Sequence, residues 1–323
     1  MALAELYSLI AGDMQEVDRV IRARLYSEVP LIRQVGEYII QSGGKRLRPA
    51  LVLLSAGACG YGSGVHHHEL AAVVEFIHTA TLLHDDVVDE SDMRRGRKTA
   101  NAMFGNAASV LVGDFLYSRS FQMMLSVGSM RVQEVLADAT NVIAEGEVLQ
   151  LLNCHDADVD VERYMQVIRY KTAKLFEAAS RLGAILGGAA PELEQSMAEF
   201  GMRLGTAFQI IDDVLDYSGD EQTTGKHMGD DLAEGKTTLP LIHAMQTGTP
   251  EQAAAVRHAI HEGGRADMGA VIDAVRQTGA LDVAKRYASA EAVLARSALS
   301  ALPASQFKES LLKLSDFAVE RDF

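Results

Sequence analysis

Two stretches of the chain carry the same acidic spacing. Asp85, Asp86 and Asp89 close an apolar run over 70–83, and Asp212, Asp213 and Asp216 follow another apolar run that ends in Ile210 and Ile211. On a helix the first and third acids of each D-D-x-x-D group are one turn apart and offset by only ~40°, while the middle acid lies ~100° around the axis. The first and third carboxylates therefore enter the same volume and repel unless a cation neutralises them. A solvated acidic helix end is the plain alternative, but these acids sit at the C-terminal side of their helices, where the macrodipole disfavours them. Two such ends facing each other would surround one cavity with carboxylates, an all-oxygen site suited to Mg²⁺ that keeps its waters and bridges to phosphate. A calcium EF-hand is excluded, because its loop needs Gly at the sixth position and Glu at the twelfth. The first cluster has Glu90 and Gly96 there, and the second has Tyr217 and Thr223.

A carboxylate-held metal implies an anionic ligand, and cations stand where that ligand would need them. They are Lys45, Arg46 and Arg48 in GGKRLRP at 43–49, Arg94 and Arg95 beyond the first cluster, Lys171 with Lys174, and Lys226 with Lys236. Any one basic pair can be a solvated face. Four groups in so acidic a chain read instead as donors to diphosphate, with forked arginines beside the metals. His84, next to Asp85, is expected to orient a carboxylate or lie behind it rather than act as a general base. His66, His67 and His68 follow a Gly-rich turn and read as a solvated helix start.

The elements that position these residues have helical period almost throughout, and alternating β-branched runs are missing, so the fold is expected to be all-α. Met197, Phe200, Leu204, Phe208 and Ile211 form one apolar stripe. Gly201 and Gly205 share a face that would let another helix approach closely. Breaks are expected at 41–49, 60–64, 187–191, 218–236 and 247–250. No shift in composition marks a boundary, so 1–323 is read as one domain whose portion after about residue 247 is more polar and carries no chemical motif.

With 323 residues, 48% hydrophobic and 23% charged, the chain has material for a large core. Its net charge of −14 argues against nucleic acid as a partner. The first residues lack a basic signal region and no apolar run reaches the ~20 residues of a membrane span, so a cytoplasmic location is expected. Cys59 and Cys154 are expected to be buried free thiols.

The stretches 43–49 and 75–89, the trailing Arg94, Arg95 and Gly96, Gly113-Asp114, Lys171-Thr172, 208–213 and Gly229-Asp230-Asp231 together resemble the trans-isoprenyl diphosphate synthase family, without departure at any motif. The resemblance implies an isoprenoid synthase-type bundle of antiparallel helices around a deep central cavity, usually in a homodimer. The implied reaction condenses isopentenyl diphosphate sequentially onto farnesyl or another short allylic diphosphate, to a chain of octaprenyl length for a quinone. Lys45, Arg48, His78 and Arg95 resemble the family's site for the diphosphate of isopentenyl diphosphate. Arg94, Lys171, Thr172, Gln209 and Lys226 resemble the allylic diphosphate site, the last four being the catalytic group. By the same resemblance Asp85 and Asp89 hold two Mg²⁺ ions and Asp212 a third. Asp86, Asp213 and Asp216 act through water or through those ligands, with Asp216 counted in the metal group.

The basic residues at 43–49 supply a second diphosphate site, which chain elongation needs and a terpene cyclase does not. Both aspartate clusters are complete, which counts against a non-catalytic subunit. Ala80 and Thr81 are small where a bulky side chain, one helical turn of ~5.4 Å below Asp85, would meet the growing tail. Met123, Met124 and Leu136 are candidates for the cavity floor, or plain core. No membrane span is expected, although transient membrane contact would help to release a greasy product.

Overall fold

The computed structural model describes residues 7–41, 43–94, 96–218, 228–263 and 267–321. Arg95 and Lys226 lie outside the described residues. The described residues are all-α except for one short antiparallel hairpin, β1 (Met93–Arg94) with β2 (Arg97–Lys98), which turns at Gly96 with φ 71°.

The helices in chain order are α1 (Ala11–Arg24), α2 (Pro30–Gln41), α3 (Leu47–Ala58), α4 (His66–Val88), α5 (Ala100–Phe104), α6 (Asn106–Ser126), α7 (Met130–Asn153) and α8 (Val161–Ile168). A π-helical turn (Arg169–Ala173) precedes α9 (Lys174–Leu186), and α10 (Pro191–Ser218) follows. Then come α11 (Asp230–Ala233), α12 (Leu239–Thr247), α13 (Pro250–Glu262), α14 (Met268–Gln277), α15 (Ala280–Ala298) and α16 (Gln306–Glu320). The breaks expected at 60–64, 187–191 and 247–250 fall where glycine and proline place them, while 219–227 of the break expected at 218–236 lies outside the described residues and α11 stands within the rest. The one expected at 41–49 is shorter, since α3 takes Leu47 onward with Pro49 in its first turn.

The residues group into two compact units. The first comprises Met1–Thr140, Leu175–Gly201 and Ala298–Leu314. Its α4 packs along α6 and against α1 and α3. Five consecutive residues of α4, Leu70, Ala71, Ala72, Val73 and Val74, are buried, so this helix is enclosed on all sides over that segment. The second unit comprises Asn141–Lys174, Met202–Ser297 and Ser315–Phe323. Tyr164, Ile168, Ile210, Ile211 and Ile242 build one core there, and Leu241, Val256, Ile260 and Val271 another. A capping box of Thr249 and Gln252 starts α13.

Along α10, Met197, Phe200, Leu204 and Ile211 are buried as the stripe requires, whereas Phe208 is only partly buried. Cys59 and Cys154 are free but partly exposed rather than buried, because each stands at or past the end of its helix. Burial nonetheless pushes the Cys59 thiol up to about 11, so it stays protonated and unreactive. Among the described residues no helix is long and apolar enough to cross a membrane.

The close approach expected at Gly201 is present: an added Cβ would fall 2.7 Å from Glu177 Cα and 2.7 Å from the Phe176 carbonyl carbon. Alanine would gain ~1 kcal/mol in helix propensity, but backbone atoms cannot yield and overpacking costs ~1–3 kcal/mol. Gly201→Ala is therefore expected to lower the urea midpoint, and an unchanged or raised midpoint would refute the close fit.

Candidate active site

The last turn of α4 sorts its acids by exposure. Asp85 and Asp89 are partly exposed, while Asp86 is buried at 2%. Asp86 Oδ1 accepts from Arg94 Nε at 2.8 Å and lies 2.7 Å from Arg94 Nη2. Burial raises the Asp86 pKa and the Arg94 guanidinium opposes that shift. Arg94 reaches back because the β1–β2 hairpin folds onto the helix end. Asn101 Nδ2 donates to the carbonyls of Asp86 and Ser91, and the Thr99 hydroxyl donates to the Ser91 carbonyl. Asp86 and Arg94 line a pocket with His78, Arg46, Glu75 and Tyr38.

Arg48 Nη1 is 3.2 Å from His78 Nε2, and its guanidinium carbon stands 4.6 Å over the Phe176 ring. Two residues predicted to serve one diphosphate are thus neighbours. Arg46 adopts a left-handed conformation with φ 50° and pairs with Glu75 at 2.8 Å. The Lys45 carbonyl accepts from the Tyr7 hydroxyl. His84 Nε2 lies 3.2 Å from the Val110 carbonyl oxygen and 3.3 Å from Asp114 Oδ1, and among the described residues it makes no bond to Asp85. Gly113 makes this possible, since an added Cβ would fall 2.6 Å from His84 Cδ2.

The second cluster repeats the sorting. Asp212 and Asp216 are partly exposed and Asp213 is buried at 3%. Asp213 accepts from the Tyr164 hydroxyl at 2.6 Å and from Gln209 Nε2 at 2.8 Å, and the Thr172 hydroxyl donates to Gln209 Oε1 at 3.0 Å. Burial, then the nearby Asp231 charge, pushes Asp213 up to about 8. Asp216 oxygens accept the backbone N–H of Asp230 at 3.2 Å and of Asp231 at 3.3 Å, which explains the Gly229-Asp230-Asp231 motif: Gly229 turns at φ 79° to bring them there. Asp212 pairs with Arg321 at 2.7 Å.

Lys171 lies in the π-turn and pairs with Glu147 at 2.5 Å. Gly146 admits this turn, because an added Cβ would fall 2.6 Å from Lys171 N. Ala80 is 1% exposed and Thr81 is partly exposed, its hydroxyl donating to the His78 carbonyl. Met123, Met124 and Leu136 are buried. His66, His67 and His68 are not a solvated start: His67 and His68 pack against Asp13, because α1 lies on α4.

Glu147, Tyr164 and Arg321 are not marked by the sequence, whereas Arg46 stands in the GGKRLRP motif. Those three carry no local signal, and Arg321 reaches the second cluster from the C-terminal portion in which the sequence shows no chemical motif. The donor set of each cluster is carboxylate oxygen, with the outer acids partly exposed and the middle acid buried among protein partners, which fits a hard divalent cation.

The two D-D-x-x-D helix ends of this all-α fold thus sort their acids alike and present matched carboxylate sets of the kind that hold divalent metal. The chain belongs to the polyprenyl synthetase family, which it matches over residues 29–277. It is 55% identical over 323 residues to the octaprenyl diphosphate synthase of Escherichia coli (strain K12), covering 100% of both chains. It is 50% identical to the octaprenyl diphosphate synthase of Haemophilus influenzae, covering 100% of this chain and 98% of that one. The crystal structure of a polyprenyl synthase from Caulobacter crescentus CB15, complexed with calcium and isoprenyl diphosphate, matches with TM-score 0.96 and 44% identity, over 100% of this chain and 98% of that chain.

Because the folded pKa of Asp213 is raised, folding favours its protonated form. The unfolded carboxyl ionises from about pH 4, so metal-free stability falls as pH rises from there toward the folded value of about 8. Asp213→Asn should flatten that decline in urea titrations at successive pH values. An equally steep decline in the variant would assign it to other groups. Arg94→Gln leaves Asp86 buried without its cation, at a cost of about 3 kcal/mol, read from the same titrations.

Proposed function

We propose that the chain is a long-chain trans-polyprenyl diphosphate synthase. It adds isopentenyl diphosphate units to farnesyl or another short allylic diphosphate and stops at octaprenyl diphosphate, the precursor of a quinone side chain. The observation that carries this reading is the full-length 55% identity to an octaprenyl diphosphate synthase, with both aspartate clusters intact. The family match draws on residues of both units, which supports a single catalytic domain.

In this reading Asp85, Asp89, Asp212 and Asp216 hold Mg²⁺, three ions in all, against the allylic diphosphate. Bound Mg²⁺ stabilises the negative charge that develops on the departing diphosphate. Arg94, Lys171, Thr172, Gln209 and Lys226 bind that group, and fixed cations lower the barrier because they need no reorganisation as the charge appears. Lys45, Arg48, His78 and Arg95 hold the diphosphate of isopentenyl diphosphate. The final proton leaves to the released diphosphate, so no protein base is required. His84, whose Nε2 lies 3.2 Å from the Val110 carbonyl oxygen, is consistent with that.

A homodimer is part of the proposal. Helix α6 exposes Leu111 at 65%, and α7 exposes Leu151 at 62% and Leu152 at 70%, side chains that a stable interface would cover. Leu151→Asp with Leu152→Asp should convert a dimer to monomer in light scattering. The reaction is placed in the cytoplasm, with transient membrane contact for product release.

Incubation with farnesyl diphosphate, isopentenyl diphosphate and Mg²⁺ should give octaprenyl product on reversed-phase chromatography after dephosphorylation. Failure to consume isopentenyl diphosphate would overturn the assignment. Asp85→Asn or Asp212→Asn should lower turnover roughly a hundred-fold or more, ~2.7 kcal/mol, with unchanged helix content. Chain length is assigned to Ala80 and Thr81 above a floor that includes Met123. Since Ala80 is closed and Thr81 partly open, Thr81→Phe should shorten the product, while Ala80→Phe also overpacks at ~1–3 kcal/mol. An unchanged product distribution from active Thr81→Phe enzyme would route the tail elsewhere.

A further inference from the structure

Asp13 in the first turn of α1 and His67 and His68 in the first turn of α4 converge on one point. The Nε2 atoms of His67 and His68 lie 3.3 and 2.8 Å from the same Asp13 oxygen, and the three ligand atoms all lie within 4.8 Å of one another. Both imidazoles are largely withdrawn from solvent, with side-chain exposures of 14% and 13%. Their ring centroids are 3.8 Å apart, and Tyr61 sets its ring 5.1 Å from that of His67 in an edge contact. Tyr61 fits there because Gly64, at φ 135°, lacks the Cβ that would collide with the Tyr61 hydroxyl. The rings are therefore held in place by packing.

Two imidazole nitrogens and one carboxylate oxygen are the donors that Zn²⁺ and its neighbours in the first transition row select, with remaining positions left to water. Mg²⁺ and Ca²⁺ prefer oxygen alone. Zinc bound at ~2.0–2.1 Å from each ligand requires donors a little over 3 Å apart, so the observed spacing needs only side-chain adjustment.

We propose that Asp13, His67 and His68 form a transition-metal site, selective for Zn²⁺-class ions and separate from the aspartate clusters. The ion ties α1 to the start of α4. Along α4, His68 and Asp85 are separated by about 25 Å of helix, so occupancy stabilises the first unit without entering the chemistry.

The test uses the full-length, metal-free chain in excess Mg²⁺, titrated with Co²⁺ and followed by visible d–d absorption. Wild type should bind about one equivalent, and His68→Gln or Asp13→Asn should weaken binding roughly ten- to a hundred-fold. Cu²⁺ substitution should show imidazole nitrogen hyperfine structure in electron paramagnetic resonance, which all-oxygen aspartate sites cannot give. Zn²⁺ should raise the melting temperature of wild type and not of His68→Gln, while Mg²⁺-dependent turnover of both stays within about two-fold. Equal Co²⁺ affinity in wild type and both variants would overturn the site. So would a copper spectrum without nitrogen coupling. If prenyl transfer were absent but the metal responses held, the functional reading alone would fail.

Discussion

Repulsion among carboxylates crowded at the C-terminal end of a helix is the constraint on which the rest of the molecule depends. Each cluster resolves it in the same way. The middle acid turns inward and is held by protein: Asp86 pairs with the Arg94 guanidinium, and Asp213 accepts hydrogen bonds from Tyr164 and Gln209 while burial raises its pKa. The outer acids, Asp85 and Asp89 in one cluster and Asp212 and Asp216 in the other, are left partly exposed. Burial of the central residue thus decides which carboxylates can serve a ligand. The ~100° offset of adjacent positions on a helix makes that division geometrically automatic.

Close backbone approaches supply the precision. Gly113 seats His84 beside Asp114, Gly146 admits the turn that bears Lys171, and Gly201 lies against Phe176 and Glu177. In each case a missing methyl group lets one segment meet another at a distance that no other residue allows. The helix-propensity cost of ~1 kcal/mol per glycine is offset by the contacts that follow.

What was legible in the sequence was whatever depends on local spacing. Helical period gave the all-α class, glycine and proline gave the breaks, and repetition of the acidic spacing marked the clusters. What was illegible depends on chain segments that meet only after folding. Arg321 reaches Asp212 and also stacks 3.7 Å over Phe208, yet nothing around it in sequence sets it apart from a solvated arginine. Glu147 beside Lys171 and Asp13 beside His67 and His68 are partners of the same kind. The histidine run read as solvated because no property of α4 alone says that α1 lies upon it. Asp216 was visible as an acid but not as the cap of α11, a role that depends on Gly229 turning the chain back.

The π-turn at Arg169–Ala173 has a consequence for how this chain can change by descent. A π-turn holds one residue more than the α-helical ladder requires. Loss of a single codon there would restore a regular ladder, and the helix would remain intact by every local criterion. Lys171 and Thr172 would nevertheless be swung by ~100° about the axis, away from Glu147 and Gln209. The reading-frame-preserving deletion that looks mildest on paper is therefore the one this segment cannot accommodate. Its length is under stricter inheritance than its composition.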